Sequence, residues 1–204
     1  MFGTKLSAKP AKGKKAVALE SLEDRLTPAS FYINPINGDN SNSGTQASPW
    51  ATLQASLDKV VVVNGDTLNV RPGSMTEQGT PWVANGDVVS VLIQKSVTIQ
   101  GTDASWTPIT SASNVQATVV MGSQGINSQS LLVVDAPNVT ITGLGFAPST
   151  SDPTNPVNGQ GNLVFVDTTN FTLSNSVLDA NRANADTQAQ PGTTATALFF
   201  YDPA

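Results

Sequence analysis

Two stretches of the chain carry the same order of apolar and polar positions. LLVVDAPNVTITGLGF, starting at Leu131, aligns without a gap with LVFVDTTNFTLSNSVL, starting at Leu163, at a constant offset of 32 residues. Val134 meets Val166, Asp135 meets Asp167, Asn138 meets Asn170, and Ile141 meets Leu173. An earlier half-copy, SVTIQG at Ser96 to Gly101, matches the later part of each. One coil of short β-branched strands cannot cover its own apolar side, whereas coils stacked at roughly 4.8 Å share a continuous core, so the pattern predicts a solenoid. Val97, Val139 and Phe171 fall in one inward column and Ile99, Ile141 and Leu173 in a second, while Thr98, Thr140 and Thr172 point outward. Asn138 and Asn170 precede the strand, where stacked amides bond along the axis and tolerate unusual backbone angles. Both lie in N-x-T sequons and read as corner residues, not glycan sites.

Upstream of the repeat the pattern changes. Phe31 opens a short strand, a polar Gly/Asn loop follows, and a helix is expected over about 48–61, with Ser48 as N-cap and Pro49 at its first position. Trp50, Leu53, Leu57, Val60 and Val61 recur at helical spacing, giving an apolar face that would cover one end of the stack. Asn64-Gly65-Asp66 marks a turn before a strand at Leu68 to Val70, and Pro72-Gly73 marks another. At the other end, Phe200-Tyr201-Asp202 resembles Phe165-Val166-Asp167 and begins a further coil with no capping element after it. An uncapped apolar end is prone to edge pairing, so end-to-end self-association, or a truncated gene product, is the expectation there.

Composition narrows the chemistry. Of the 204 residues 39% are hydrophobic, enough for a core, but only 12% are charged, so the surface is built of hydroxyls and amides. Cysteine and histidine are absent, which excludes disulfides, thiolate sites, the commonest general base and the commonest transition-metal ligand. Six of the ten basic residues but only three of the fifteen acids precede residue 31, leaving four basic against twelve acidic residues in the remainder. A body with a net charge of −8 repels phosphate backbones, and nucleic acid is not an expected partner.

Residues 1–30 form a separate basic segment whose longest apolar run is Ala16 to Leu19, too short for a standard secretory signal or a transmembrane helix. Its wording LESLEDRLTPA resembles the amino-terminal leader found on many predicted surface and secreted proteins of planctomycete bacteria. That resemblance implies a secreted or cell-surface protein whose mature chain starts near Ser30, with residues 31–204 as one domain. Residues 32–77 resemble the opening of right-handed parallel β-helix proteins of the pectate-lyase-like superfamily. The matches run in order through Tyr32, Gly38, Asp39, Gly44, Thr45, Pro49, Thr52, Leu53, Ala55, Gly65, Asp66, Thr67, Pro72, Gly73 and Glu77. The expected fold is therefore all-β, a right-handed parallel β-helix with an amino-terminal capping helix, incomplete at its carboxyl end.

Three polar segments, Thr102 to Ala117, Ala147 to Asn162 and Asp179 to Ala195, are expected to leave the coils side by side on one edge. The ligand-binding residues expected there are Trp106, Asp152, Asn155, Asp179, Arg182 and Asp186, a set compatible with sugar binding. Superfamily members that cleave acidic polysaccharides hold Ca²⁺ on carboxylates and use an Arg or Lys as base. By that resemblance Arg182, between Asp179 and Asp186, is the candidate catalytic residue of a Ca²⁺-assisted lyase. The plainer reading, which the sequence favours, is a solvated loop whose charges keep it soluble. A column of Asp135, Asp167 and Asp202 is either a Ca²⁺ ladder or a set of turn caps. The metal candidates are thus Asp135, Asp167, Asp179 and Asp186. Trp106 either stacks on a sugar ring or pins its loop onto the coil. The leading function is a non-catalytic surface module with a structural or glycan-interacting role, with polysaccharide or a cell-envelope component as partner. The alternative is a polysaccharide lyase or glycoside hydrolase acting on acidic polysaccharide.

Overall fold

The computed structural model describes residues 27–77, 80–82, 87–121, 130–147, 162–179 and 196–200. In chain order the elements are strand β1 (Ser30–Ile33), helix α1 (Leu53–Leu57), β2 (Thr67–Val70), β3 (Gly73–Glu77), β4 (Thr80–Trp82), β5 (Asp87–Val89), β6 (Val91–Ile93) and β7 (Thr98–Gly101). They continue as a 3₁₀ turn (Ala112–Asn114), β8 (Ala117–Met121), β9 (Ser130–Val134), β10 (Thr140–Thr142), β11 (Leu144–Ala147), β12 (Asn162–Val166), β13 (Thr172–Ser174), β14 (Val177–Leu178) and β15 (Thr196–Phe200). The protein is thus mostly β, with little helix among the described residues.

Three parallel sheets account for all strands except an antiparallel pair, β4 with β5. Sheet 1 has the order β1-β2-β7-β10-β13, sheet 2 β3-β8-β11-β14, and sheet 3 β6-β9-β12-β15. From β2 onward the chain visits sheets 1, 2 and 3 in rotation, leaving aside β4 and β5, and each strand pairs with the one it reached on its previous visit. Their inward side chains share one core: Leu68, Ile99 and Ile141 from sheet 1, Met75, Val119 and Phe146 from sheet 2, and Ile93, Val134 and Val166 from sheet 3.

The constant offset in the sequence is a constant register in space. Ile141 lies beside Leu173 and Ile99, and Val134 beside Val166. Val97, Val139, Ile99 and Ile141 are buried, while Phe171 and Leu173 are half-buried on the last rung. Asn138 and Asn170 occupy the left-handed region, with φ of 57° and 58°, and Asn170 Nδ2 donates to Asn138 Oδ1 at 3.1 Å. β2 adds a rung that the repeat did not reveal, since Leu68 lies beside Ile99. The segments between rungs vary, 31 residues from Leu68 to Ile99 but 42 from Ile99 to Ile141, so a fixed period in the sequence misses it.

Two expectations are corrected. The helix spans only Leu53–Leu57, not 48–61, and its N-cap position is Thr52 in an extended conformation, not Ser48. Trp50 instead runs alongside β1, its amide donating to the Tyr32 carbonyl at 3.0 Å, which holds the chain extended where the helix was expected to begin. At the other end Lys95 Nζ donates to the Leu57 and Lys59 carbonyls at 2.5 and 2.9 Å, and Val60 and Val61 turn out to solvent at 92% and 60% exposure. The second correction concerns the polar segments. Residues 102–116 lead from sheet 1 into sheet 2, whereas the segments after Ala147 and Asp179 lead from sheet 2 into sheet 3. Residues 102–116 thus leave the stack at a different corner from Ala147 and Asp179, while residues 148–161 and 180–195 lie outside the described residues. The reason is that β11 and β14 follow β10 and β13 almost directly, while 102–116 is inserted before the equivalent strand β8.

The loop and helix near the start are held by polar side chains used as internal scaffolding. Asn40 Oδ1 accepts from the Ala51 and Thr52 amides at 2.9 and 3.1 Å, and Trp50 Nε1 donates to the Asn42 carbonyl at 2.7 Å. Gly44, at φ 75°, is in contact with the Trp50 ring, and a Cβ there would fall 2.4 Å from Cζ2. A five-residue helix has too few internal hydrogen bonds to stand alone. Glu77, only 1% exposed at the end of β3, supplies the missing acceptors, taking the Leu53 amide at 2.6 Å and the Gln54 amide at 3.2 Å. Burial raises its pKa above the ordinary glutamate value, the two amide bonds offsetting part of that.

Candidate functional site

Alternation along parallel strands sends every second residue of sheet 2 outward. Ser74, Thr118, Gly145 and Val177 fall in one outward column by register. These side chains are small, and Gly145 has none. A Cβ at Gly145 would meet Thr118 Oγ1 at 3.0 Å, so the glycine keeps this row low. The result is a groove of about 230 Å³ lined by that column together with Val115, Phe146, Ala147 and Asp179. Val115 precedes β8 and Asp179 follows β14, so the groove spans sheet 2 from one strand end to the other.

Asp179 is half-buried and follows β14, its amide donating to the Phe146 carbonyl at 2.9 Å. Among the described residues it is the one ionisable group in the lining. With the hydroxyls of Ser74 and Thr118 it can accept or share hydrogen bonds with a polar ligand; among the described residues the lining holds no second carboxylate for paired acid–base chemistry. Arg182 and Asp186, the neighbours expected to complete a lyase site, lie outside the described residues, as do Asp152, Asn155 and Asp202.

The two candidate metal groups, the column of Asp135, Asp167 and Asp202 and the loop pair Asp179 and Asp186, are described only in part, since Asp186 and Asp202 lie outside the described residues. Asp135 and Asp167 are neighbours at the corner after sheet 3, where the Asp167 amide donates to the Val134 carbonyl and the Asp135 amide to the Ile93 carbonyl, both at 2.9 Å. Asp179 stands after sheet 2 instead. Asp135 is exposed and its Oδ2 accepts from Gln94 Nε2 at 3.2 Å. Calcium takes six to eight oxygens, and among the described residues no three Asp, Glu, His or Cys are grouped to hold a metal. Asp135 and Asp167 by themselves do not supply that many oxygens.

Trp106 sits outside the groove lining. Its loop is built on Asp103, whose Oδ1 accepts from the Ser105 and Thr107 amides at 2.7 and 2.9 Å. The Thr107 amide is the main reason the Asp103 carboxyl is held below its ordinary pKa. The Trp106 ring meets Tyr32 edge-on at 4.9 Å, the Arg71 guanidinium lies 4.9 Å from its centroid, and Arg71 also donates to the Ala104 carbonyl. Of the two roles weighed for this tryptophan, the geometry matches a pin that fastens residues 102–110 to β1.

Sequence reasoning missed the groove floor and the role of Glu77. A glycine inside a strand signals close approach of another group, so Gly145 was the available clue to the floor. Among the described residues no helix is long and apolar enough to cross a membrane. No protein family, curated protein or solved structure matches this chain.

Proposed function

We propose that the rotation through three parallel sheets is that of a right-handed parallel β-helix, and that the chain is a secreted or cell-surface module with a structural or glycan-interacting role. The observation that carries this reading is the groove over sheet 2, which among the described residues offers hydroxyls, an apolar floor and a single carboxylate. Such a lining suits binding of a polyol better than cleavage of its glycosidic bond. The low charge of the chain and the absence of histidine and cysteine support the same view. The export-like leader motif is the basis for placing it outside the cell.

The test is affinity electrophoresis of the full chain in gels containing neutral or acidic polysaccharides, paired with an ultraviolet assay for unsaturated products on polygalacturonate with and without Ca²⁺. Retardation without product formation is expected. Product formation that requires Ca²⁺ and disappears in Arg182→Ala would replace this reading with a lyase; no retardation in any gel would remove the glycan role.

A further inference from the structure

We propose that the outer face of sheet 1, a different face from the one that carries the groove, is a contact surface for a neutral β-1,4-linked polysaccharide lying along the stacking direction, one sugar per strand. The inference rests on the glycan reading above and adds both a second location and a class of ligand. By register, Ser30, Thr67, Thr98, Thr140 and Thr172 form one column across five strands. The residues that follow them on β2, β7 and β10, namely Leu68, Ile99 and Ile141, are buried in the core, so the column faces away from it.

What sets this column apart is unspent hydrogen-bonding capacity. In the adjacent outward column Gln100 Nε2 donates to Asn69 Oδ1 at 2.6 Å, and at the corner Asn170 donates to Asn138. The hydroxyls of Ser30 and the four threonines bond to no protein atom among the described residues. Among the described residues no buried side-chain oxygen or nitrogen lacks a partner, so these unpartnered hydroxyls are open to solvent at least in part. Threonine in a strand has few χ1 choices, which pre-orders the row and lowers the cost of fixing it on binding.

The chemistry of the ligand follows from charge and spacing. Neither outward column contains a charged residue, since the second runs Tyr32, Asn69, Gln100, Thr142, Ser174. Along these columns an acidic polymer would find no counter-charge, the Arg71 guanidinium near the first rung being held on Trp106 and the Ala104 carbonyl, whereas a neutral polymer buries no unpaired charge. Strands repeat at roughly 4.8 Å, and an extended β-1,4-linked pyranose chain advances by nearly the same distance per sugar. Successive sugars are turned over about the chain axis, so equivalent hydroxyls meet the column at every second strand. Tyr32 and the Trp106 loop bound the face at its first rung.

The experiment is sedimentation of the full chain with microcrystalline cellulose and with chitin, with polygalacturonate gels as the charged comparator. Retention on at least one neutral polymer is expected. The double variant Thr98→Val/Thr140→Val keeps the β-branch and removes two hydroxyls, and it should bind about tenfold more weakly or worse, at about 1 kcal/mol per hydrogen bond lost. Its melting temperature should be unchanged, and Thr98→Ser/Thr140→Ser should restore retention. Thr172→Val, on the edge strand where folding is not at risk, should give a smaller loss of the same sign. Wild-type retention by both valine variants would overturn the proposal, as would loss of retention through Asp179→Asn alone. Binding to polygalacturonate only would overturn it while leaving the glycan reading intact; binding to no polysaccharide would remove both. Inhibition of ice growth without polysaccharide retention would overturn it as well, assigning the array to a water lattice.

Discussion

The two ends of the stack are built from the same strands but finished differently. Near β1 and α1, the buried polar side chains are all partnered: Asp66 accepts from the Ala29 and Val63 amides, Glu77 from the first helix amides, and Gln54 from the Leu92 amide. Trp50, Leu53 and Leu57 are buried beneath them. At β13 to β15 the same inward positions are only half-covered: Phe171, Leu173, Leu178 and Leu198 are partly buried, and Phe200 is 59% exposed. Ile141 and Leu173 occupy equivalent positions and differ chiefly in having a strand on both sides or on one. In stacked strands, burial is therefore a property of the neighbours more than of the residue.

The largest expected effect breaks that equivalence. Ile141→Ala should cost about 3 kcal/mol in a urea melt, since it leaves a cavity walled by strands on both sides. Leu173→Ala, at the same position one rung later, should cost only about 1 kcal/mol because half of its surface is already wet. Equal losses would show that the last rung is covered as completely as the interior. Glu77→Ala comes next, at about 2 kcal/mol or more, because it strands two buried helix amides. Its effect should be confined to the α1 end, with accelerated hydrogen exchange at Leu53 and Gln54 and none at Thr172.

Glu77 also predicts a pH dependence of definite sign. Its folded pKa is raised above 4.5, chiefly by burial, so between those two values the folded state holds more proton than the unfolded one. Stability from this group is fully present below pH 4.5 and is lost as pH rises through the folded pKa. Asp39 and Asp103 act in the opposite sense, since their pKa values are lowered by hydrogen bonds to Ser41 and to Thr107, and their contribution is lost as pH falls. Glu77→Gln isolates the first effect: the wild type should lose stability relative to this variant as pH rises, by urea titration across pH 4 to 8. A pH-independent difference between the two would refute the assignment.

Much of this was legible in the sequence where one residue reports on a vertical neighbour. The pairs Thr140–Thr172 and Asn138–Asn170 follow from the offset of 32, and the columns Val97–Val139, Ile99–Ile141 and Thr98–Thr140 follow from the matching wording of the half-copy 42 residues earlier, because strand pairing sets like positions side by side. Features set by non-repeating contacts were not legible. Val60 and Val61 have helical spacing, yet Lys95, 36 residues beyond Lys59, takes the last carbonyls and ends the helix before them. The groove was hidden because Val115 and Asp179 stand at opposite strand ends of sheet 2, and polar composition alone does not say which end. Glu77 read as one position of a turn motif; that it reaches across to α1 depends on the return path of the chain.

The smallest expected effect tests the corner itself. Asn170 does two things: it holds φ at 58°, and its amide extends the ladder from Asn138. Asn170→Ala loses both, at about 1 kcal/mol for the left-handed backbone and a few tenths for an exposed hydrogen bond. Asn170→Gly loses only the second, since glycine adopts this conformation without a Cβ clash. The gap between the two variants therefore measures the backbone requirement, and the gap between glycine and wild type measures the ladder less the entropy that glycine adds to the unfolded chain. If alanine were as stable as glycine, the corner would not demand the left-handed conformation and the asparagine would be there for its amide alone. The same pair of substitutions at Asn138, which has a strand on both sides, should give a wider alanine–glycine gap, because the buried Val139 beside it leaves less room for the backbone to relax.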